Sequence, residues 1–400
     1  MTVESVTTVV AAILLWCVFA GWLERLGLSM PMVFVAVGLL FTELFKVFDF
    51  EVEPELVKVV AEVTLAWVLF SDSSAVKISD IRRDLGSYGR LLGIGLPLTI
   101  ALGMPIAMLM LGFGFWSAIL VAAALSPTDA ALGQSVMANP RVPERIRDVL
   151  NVESGLNDGL ATPIVLLAIA GLGAEEGTRH VHGVAHAAVA LLAGAAIGLV
   201  LGCGGGLLIR HARAREWLSA ELSGPATLAL ALLAYTVALL LDSNGFVAAF
   251  IGGLAFGNTA GRAEKLAVYF VEQSADLASM LSWLIFGAVA LPSIKHSLEW
   301  QTVGYAVLSL TVIRMIPVAI ALLGSDFRPS SVAFIGWFGP RGLASVIFAL
   351  LALEDLGGAA QEVSAVIGLT VVLSVIVHGA TARPLSRRLA AAEPAPTVSG

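Results

Sequence analysis

Ser126-Pro127-Thr128-Asp129 ends the apolar run 115–125, and Glu153-Ser154-Gly155-Leu156-Asn157-Asp158 opens the apolar run 159–172. The two motifs place carboxylates and a helix-breaking proline in a part of the chain that is otherwise apolar enough for a membrane interior. A carboxylate in a bilayer is costly, and a proline there frees backbone groups that only protein or a water-filled cavity can satisfy. The stretch 126–158 therefore predicts an intramembrane site on an ion or proton pathway.

The composition of the whole chain indicates an all-α polytopic membrane protein. Hydrophobic residues make up 58% of the chain, charged residues make up 13%, and the mean hydropathy is +0.90. A soluble domain carries roughly 25% charged residues. No basic patch suggests nucleic acid, and Cys17 and Cys203 both lie in apolar runs, which excludes a disulfide framework or metal-ligand spacing. We expect neither an enzyme activity nor a cofactor.

Hydropathy and helix-breaking residues predict about 13 transmembrane helices. The predicted spans are 5–26, 31–46, 55–76, 91–113, 115–137, 146–172, 183–209, 223–241, 244–259, 267–292, 302–323, 331–353 and 363–385. With this count, 17 of the 23 lysine and arginine residues fall on one side, among them Arg82, Arg83 and Arg262. The positive-inside rule then places the N-terminus outside and the C-terminus in the cytoplasm. Residues 5–388 form one membrane unit, followed by a short cytoplasmic tail at 389–400.

Two predicted spans contain a break at matching depth. The fifth breaks at Ser126-Pro127-Thr128, and the twelfth breaks at the stretch 336–342, Gly-Trp-Phe-Gly-Pro-Arg-Gly. Paired interrupted helices are typical of inverted-repeat transporters, whose site lies at the repeat interface. Seven spans separate the pair, and an odd separation reverses the topology between them, as inversion requires.

The residues at the first break and in the sixth span predict a cation site. Ser154 and Asp158 are four residues apart and share one helix face. Their oxygens, with the hydroxyl of Thr128 and the backbone carbonyls freed at the Thr128 break, suit a small alkali cation such as Na⁺. Asp158 is the candidate for a carboxylate at which a proton and a cation compete, and a salt-bridged structural carboxylate is the alternative.

The neighbouring polar residues receive supporting roles. Asp129 lies where half-helix ends meet, so helix N-termini can balance its charge, and a purely structural role is equally open. Asn157 is expected to hold backbone or Asp129. Arg341 needs a carboxylate, and Glu153 is the predicted partner.

Two further charged residues leave more than one interpretation. Arg314, which precedes Pro317, is expected to be structural. Asp72 ends the third span, where it either snorkels to the cytoplasmic boundary or lines the ion entry.

At these residues the chain resembles the NhaP-type sodium/proton antiporters of the monovalent cation:proton antiporter-1 family. Beyond the two motifs quoted above, the matching words are Gly245-Phe246-Val247-Ala248-Ala249-Phe250, Phe286-Gly287-Ala288 and Gly339-Pro340-Arg341-Gly342. The resemblance implies a dimer domain (5–76 and 223–292), a core domain (91–172 and 302–385) with two crossed, unwound helices, and a linker helix (183–209). It implies a homodimer that moves its core domain by alternating access.

The same resemblance implies roles for single residues. Asp158, Ser154 and the Thr128 main chain would bind the cation, Asp129 would steady the crossed helices, and the ion pair of Glu153 with Arg341 would brace the core. Asp72 aligns with a glutamate that usually completes the site, and the Asn157-Asp158 pair is the pattern of electroneutral members.

These observations together predict an electroneutral exchanger of protons for Na⁺, Li⁺ or K⁺ in the plasma (inner) membrane. A cation channel and a membrane sensor that binds an ion without transporting it are the alternatives.

Overall fold

Apolar stretches separated by glycine, proline and polar turns form helices along the chain. The computed structural model describes residues 3–43, 54–77, 84–137, 139–177, 184–261, 264–290 and 299–392, and these residues contain helices and turns without a strand. In chain order the helices are α1 (Val3–Leu26), α2 (Met30–Glu43), α3 (Pro54–Ala75), α4 (Leu85–Leu111), α5 (Phe115–Ala124), α6 (Ala130–Met137), α7 (Glu144–Glu175), α8 (Val184–Ala214), α9 (Ser223–Leu240), α10 (Gly245–Thr259), α11 (Glu264–Ile285), α12 (Trp300–Leu310), α13 (Val312–Ala321), α14 (Pro329–Trp337), α15 (Leu343–Leu356) and α16 (Gln361–Ala392).

Each predicted span overlaps one of these helices or a pair of them. The predicted span 302–323 overlaps α12 and α13, which form one apolar segment, Trp300–Ala321, with a local irregularity at Thr311, whose backbone angles (φ −117°, ψ −91°) are not helical. Some predicted features lie outside the described residues. These are residues 44–46, 183 and 291–292 of three spans, the tail residues 393–400, and Arg82, Arg83 and Arg262.

The helices identify an integral membrane protein. Seven of the described helical segments are long and apolar enough to cross a membrane, and three shorter helices are also apolar. In the most apolar stretch of α7, 67% of the residues are buried, against 11% in α1 and in α8. A helix that is apolar all round and buried belongs to the interior, so α7 is central while α1 and α8 lie at the periphery.

Glycines allow helix α8 to approach helix α10 closely. A Cβ at Gly198 would overlap the carbonyl oxygen of Ala248, and one at Gly202 would overlap that of Gly252. Glycines spaced four residues apart along one helix face allow such an approach, as is typical of small-residue stripes in membrane helices.

Candidate ion-binding site

Two interrupted helices meet at the centre of the molecule. One break separates α5 from α6 at residues 125–129, and the other separates α14 from α15 at residues 338–342. A proline causes each break locally, because Pro127 and Pro340 have no backbone N–H to continue a helix. Arg341 Nη1 donates to the carbonyl oxygens of Ser126 (2.9 Å) and Pro127 (3.0 Å), while the backbone N–H of Asp129 donates to Pro340 O (2.8 Å). The two breaks therefore satisfy each other's freed backbone groups.

The two carboxylate oxygens of Asp129 accept hydrogen bonds from the starts of two different helices. Oδ1 accepts from the backbone N–H of Leu132 in α6 (3.0 Å), and Oδ2 accepts from that of Leu343, the first residue of α15 (2.8 Å). The partial positive charge of both N-termini balances the carboxylate. This is the electrostatic arrangement expected from the sequence. Gly342 permits it, because a Cβ there would overlap the Asp129 side chain.

Helix α7 brings its polar residues against the first break. The hydroxyls of Thr128 and Ser154 are 2.9 Å apart, and Asn157 Nδ2 donates to Thr128 Oγ1 (2.7 Å). All three side chains are at least 97% buried. The expectation that Asn157 holds backbone or Asp129 is wrong in the partner, since its amide orients the hydroxyl of Thr128. The reason is geometric, because Thr128 contacts α7 through Ser154 and Asn157, whereas the carboxylate of Asp129 accepts from the N–H groups of Leu132 and Leu343.

Asp158 lies one helical turn after Ser154 in α7 and is 8% exposed. Its Oδ1 has no hydrogen-bond partner, and the same holds for Oδ1 of Asn157. Unpaired carboxylates are rare at such burial, because the desolvation cost of the charge is then uncompensated. Asp72 and Asp129 are the charged groups that act on it electrostatically. An unpaired buried carboxylate oxygen can accept a proton or bind a cation.

Glu153 pairs with a different arginine from the one predicted. Its Oε1 lies 2.6 Å from Arg314 Nη1, and the two side chains are 4% and 2% exposed. The predicted ion pair of Glu153 with Arg341 is therefore wrong. The guanidinium of Arg341 reaches the carbonyls of the first break instead. Arg341 still lies in the electrostatic range of Glu153 and Arg314, so two buried cations share one carboxylate.

An acidic cavity of about 1010 Å³ leads to this region. Its lining includes Asp72, Gly155 and Ala130, the residue after Asp129, and the backbone of Asp72 contacts the site that a Cβ at Gly155 would occupy. Six acidic residues line the cavity against two basic ones, Lys77 and Arg145: Asp72, Asp84, Glu144, Asp148, Glu272 and Asp326. Low-dielectric walls with one predominant charge concentrate the opposite ion, here a cation. Asp72 is one of the carboxylates that line this cavity.

Arg145 and Asp84, which both line the cavity, form an ion pair. Its Nε lies 2.9 Å from Asp84 Oδ2, and its guanidinium stacks 4.3 Å from the ring centroid of Phe327. Partial burial raises the pKa of Asp84, but hydrogen bonds from Arg145 and Ser87 outweigh it and hold the pKa below its ordinary value. Asp84 therefore stays ionised at neutral pH and keeps α7 tied to the start of α4.

An ion pair ties α3 to α15 near the start of α3, at the other end of this helix from Asp72. Lys58 Nζ lies 2.5 Å from Glu354 Oε1, and the two side chains are 32% and 29% exposed. Sequence reasoning did not find this contact, and it also missed Ser374 and His378, which are buried against the second break. The signal was available, since a serine and a histidine four residues apart in an apolar span share one face.

A family model described as transmembrane sodium/hydrogen exchanger matches residues 9–388. The K⁺/H⁺ antiporter NhaP2 of Shewanella oneidensis is 25% identical over 371 residues, covering 91% of this chain and 63% of the relative. The K⁺/H⁺ antiporter NhaP of Alkalimonas amylolytica is 26% identical, covering 92% and 63%. A Na⁺/H⁺ antiporter of Schizosaccharomyces pombe is 26% identical over 255 residues, covering 60% and 54%. The chain thus spans less than two thirds of the length of these relatives.

Among solved structures, the sodium proton antiporter MjNhaP1 of Methanocaldococcus jannaschii superposes with a TM-score of 0.76 at 20% identity. The match covers 97% of this chain and 99% of that one. At this identity the likeness concerns the fold, and it agrees with the helical architecture described above.

Proposed function

The chain belongs to the transmembrane sodium/hydrogen exchanger family, and we propose that it exchanges protons for a monovalent cation across the membrane. One observation carries this proposal. Asp158 is a buried carboxylate with an unpaired oxygen, four residues after Ser154 on the same helix, and the hydroxyl of Ser154 lies 2.9 Å from that of Thr128 in the break of a membrane helix. A charge in such a place is stabilised either by a proton or by a cation, and this competition couples the two fluxes.

The ligand set fits a weakly held monovalent cation. Among the described residues no group of three or more His, Cys, Asp or Glu side chains is placed to hold a metal ion. A cation at Asp158 would be bound by this carboxylate, the hydroxyl of Ser154 and oxygens of Thr128. One carboxylate with neutral oxygens balances a single positive charge, so that either a proton or one alkali cation neutralises the site. If the carboxylate carries one cation in one direction and one proton in the other, the exchange moves no net charge.

Alternating access would expose Asp158 first to one side and then to the other. The acidic cavity approaches the site from the face where Arg145 lies, which the arginine distribution assigns to the cytoplasm. The opposite face carries the ion pair of Lys58 with Glu354. We infer that α3 belongs to a static dimer domain (5–76 and 223–292) and that α7 and α15 belong to a moving core domain (91–172 and 302–385), with 183–209 linking them. The interrupted helices would cross in the core as the two members of an inverted repeat.

The relatives support this function by their names, two as K⁺/H⁺ antiporters and one as a Na⁺/H⁺ antiporter. We propose Na⁺ or K⁺ as the physiological cation, with Li⁺ as a further substrate. We further propose a homodimer in the plasma (inner) membrane, with the N-terminus outside and the C-terminus in the cytoplasm.

The test is proton movement in proteoliposomes that hold a preset pH gradient. Adding Na⁺, Li⁺ or K⁺ is expected to dissipate the gradient with wild-type protein, with and without a clamp on the membrane potential. Asp158→Asn should abolish the response, because an amide neither binds a proton nor neutralises a cation. Asp242→Asn is the matched control, since it makes the same chemical change at a side chain that is 78% exposed.

Other results would redirect the proposal. Full activity of Asp158→Asn would exclude Asp158 as the exchanged ligand. A wild-type protein that binds cations without moving protons would act as a sensor, and an uncoupled cation current would identify a channel. The channel is disfavoured because Asp158 is only 8% exposed and does not line the cavity.

A further inference from the structure

The last helix, α16, carries two buried polar residues that the proposed exchange does not use. Ser374 is 0% exposed and His378 is 2% exposed, and the two are four residues apart on the face that packs against the second break. A buried imidazole in a membrane helix needs partners for both ring nitrogens. The partners of the His378 imidazole therefore indicate the role of Ser374 and His378.

The pair connects the two ends of the break. Ser374 Oγ accepts from the backbone N–H of Arg341 (2.6 Å) and lies 3.1 Å from His378 Nδ1. His378 Nε2 lies 2.9 Å from the carbonyl oxygen of Trp337, the last residue of α14. A carbonyl can only accept, so Nε2 carries a proton. The hydroxyl of Ser374 accepts from Arg341, and Nδ1 of His378 lies within hydrogen-bond distance of both this hydroxyl and the carbonyl oxygen of Ser374 (3.0 Å).

We propose that Ser374 and His378 are positioning residues for cation binding, which clamp Trp337 and Arg341 at a fixed separation across the second break. The clamp gives the carbonyl of Trp337, which also accepts from the backbone N–H of Gly339 (2.8 Å), a second partner, and it satisfies the backbone N–H of Arg341 after the break. It also fixes the base of the Arg341 side chain. The inference rests on the proposed exchange at Asp158.

The position of Arg341 matters for the cation site because its guanidinium holds the first break. Nη1 binds the carbonyls of Ser126 and Pro127, the two residues before Thr128. If the backbone at Arg341 moves, these carbonyls and Thr128 move with it. Loss of the clamp should therefore weaken cation binding more than it slows the movement of the protein, because misplaced ligands raise KM when the conformational step is unchanged.

The experiment measures the cation dependence of proton movement in proteoliposomes for Ser374→Ala and His378→Phe. Each is expected to raise the apparent KM for the cation roughly five- to twentyfold, with the maximal rate changed less than about twofold. The double variant should raise KM no more than the stronger single variant, because the two bonds act in series. Ser374→Thr keeps the hydroxyl and should restore the wild-type KM.

Thr381→Val is the matched control. Thr381 lies one turn after His378 on the same helix, and its hydroxyl accepts from the indole Nε1 of Trp337 (3.0 Å). Thr381 therefore binds the side chain of Trp337, whereas His378 binds the backbone carbonyl of Trp337. Its removal should leave KM within about twofold of wild type. A KM increase equal to that of His378→Phe would show that helix packing, and not the clamp, is responsible.

A second readout separates this inference from the proposed function. In detergent, cations should raise the unfolding temperature of wild-type protein, and Ser374→Ala should shift the cation concentration at half-effect by the same factor as KM. If wild type moved no protons, the exchange proposal would fail whatever the variants did. If wild type exchanged normally while both variants kept the wild-type KM, only the clamp would be refuted. Should His378→Phe not reach the membrane, the comparison of Ser374→Ala with Ser374→Thr decides.

Discussion

Glu153→Gln should destabilise the protein by about 3–5 kcal/mol, because it removes the anion from a buried ion pair. The carboxylate lies 2.6 Å from Arg314 Nη1, and both side chains are almost completely buried. Coulomb's law at an effective dielectric constant of about 20 gives such a pair about 6 kcal/mol, and desolvation of the two charges offsets much of it. Without Glu153, Arg314 and Arg341 would remain buried near each other with no carboxylate.

Thermal unfolding of the purified protein in detergent measures this change through tryptophan fluorescence. The entropy of unfolding is about 2.1 cal/mol/K per residue, or about 0.8 kcal/mol/K for a chain of 400 residues. A loss of 3–5 kcal/mol should therefore lower Tm by about 4–6 °C. Arg314→Gln should lower Tm by a similar amount, since it leaves the carboxylate unpaired.

A double-mutant cycle identifies the partner of Glu153. The variant that combines Glu153→Gln with Arg314→Gln should lose clearly less than the sum of the single losses, because neither charge is then left alone. Glu153→Gln and Arg341→Gln should be closer to additive, since Arg341 keeps its own carbonyl partners. Additive losses for the first pair, or a larger coupling for the second, would refute the assignment of the ion pair.

Three further predictions concern other parts of the fold. Gly342→Ala should cost about 1–3 kcal/mol and weaken exchange, since its Cβ would displace Asp129, whereas Gly358→Ala, with open space around its Cβ, should leave Tm and activity unchanged. Lys58→Met removes a partly exposed ion pair and should cost less than about 1 kcal/mol, so a Tm loss of several degrees would contradict it. The lowered pKa of Asp84 means that its ion pair adds stability above the unfolded-state pKa of about 3.9 and loses it as pH falls through the folded-state value. Wild type should thus lose more stability than Asp84→Asn between pH 5 and pH 3, and equal losses in an acid-unfolding series would refute this.

Local chemistry determined the features that sequence analysis found. Proline stops a helix wherever it stands, so Pro127 and Pro340 mark the two breaks without knowledge of the rest of the fold. Helical spacing alone puts Ser154 and Asp158 on one face. Long apolar runs are sufficient to identify membrane helices, because a bilayer requires helices in which the backbone is satisfied internally.

Partner choice was decided by the tertiary structure. Glu153 could reach Arg314 or Arg341 by sequence, and the rotation of α7 against the interrupted helices selects Arg314. The same rotation turns the amide of Asn157 towards Thr128. The side chain of His378 binds a carbonyl 41 positions away in the chain. Contacts between distant residues depend on how whole helices are oriented about their axes, and no local pattern in the chain specifies that orientation.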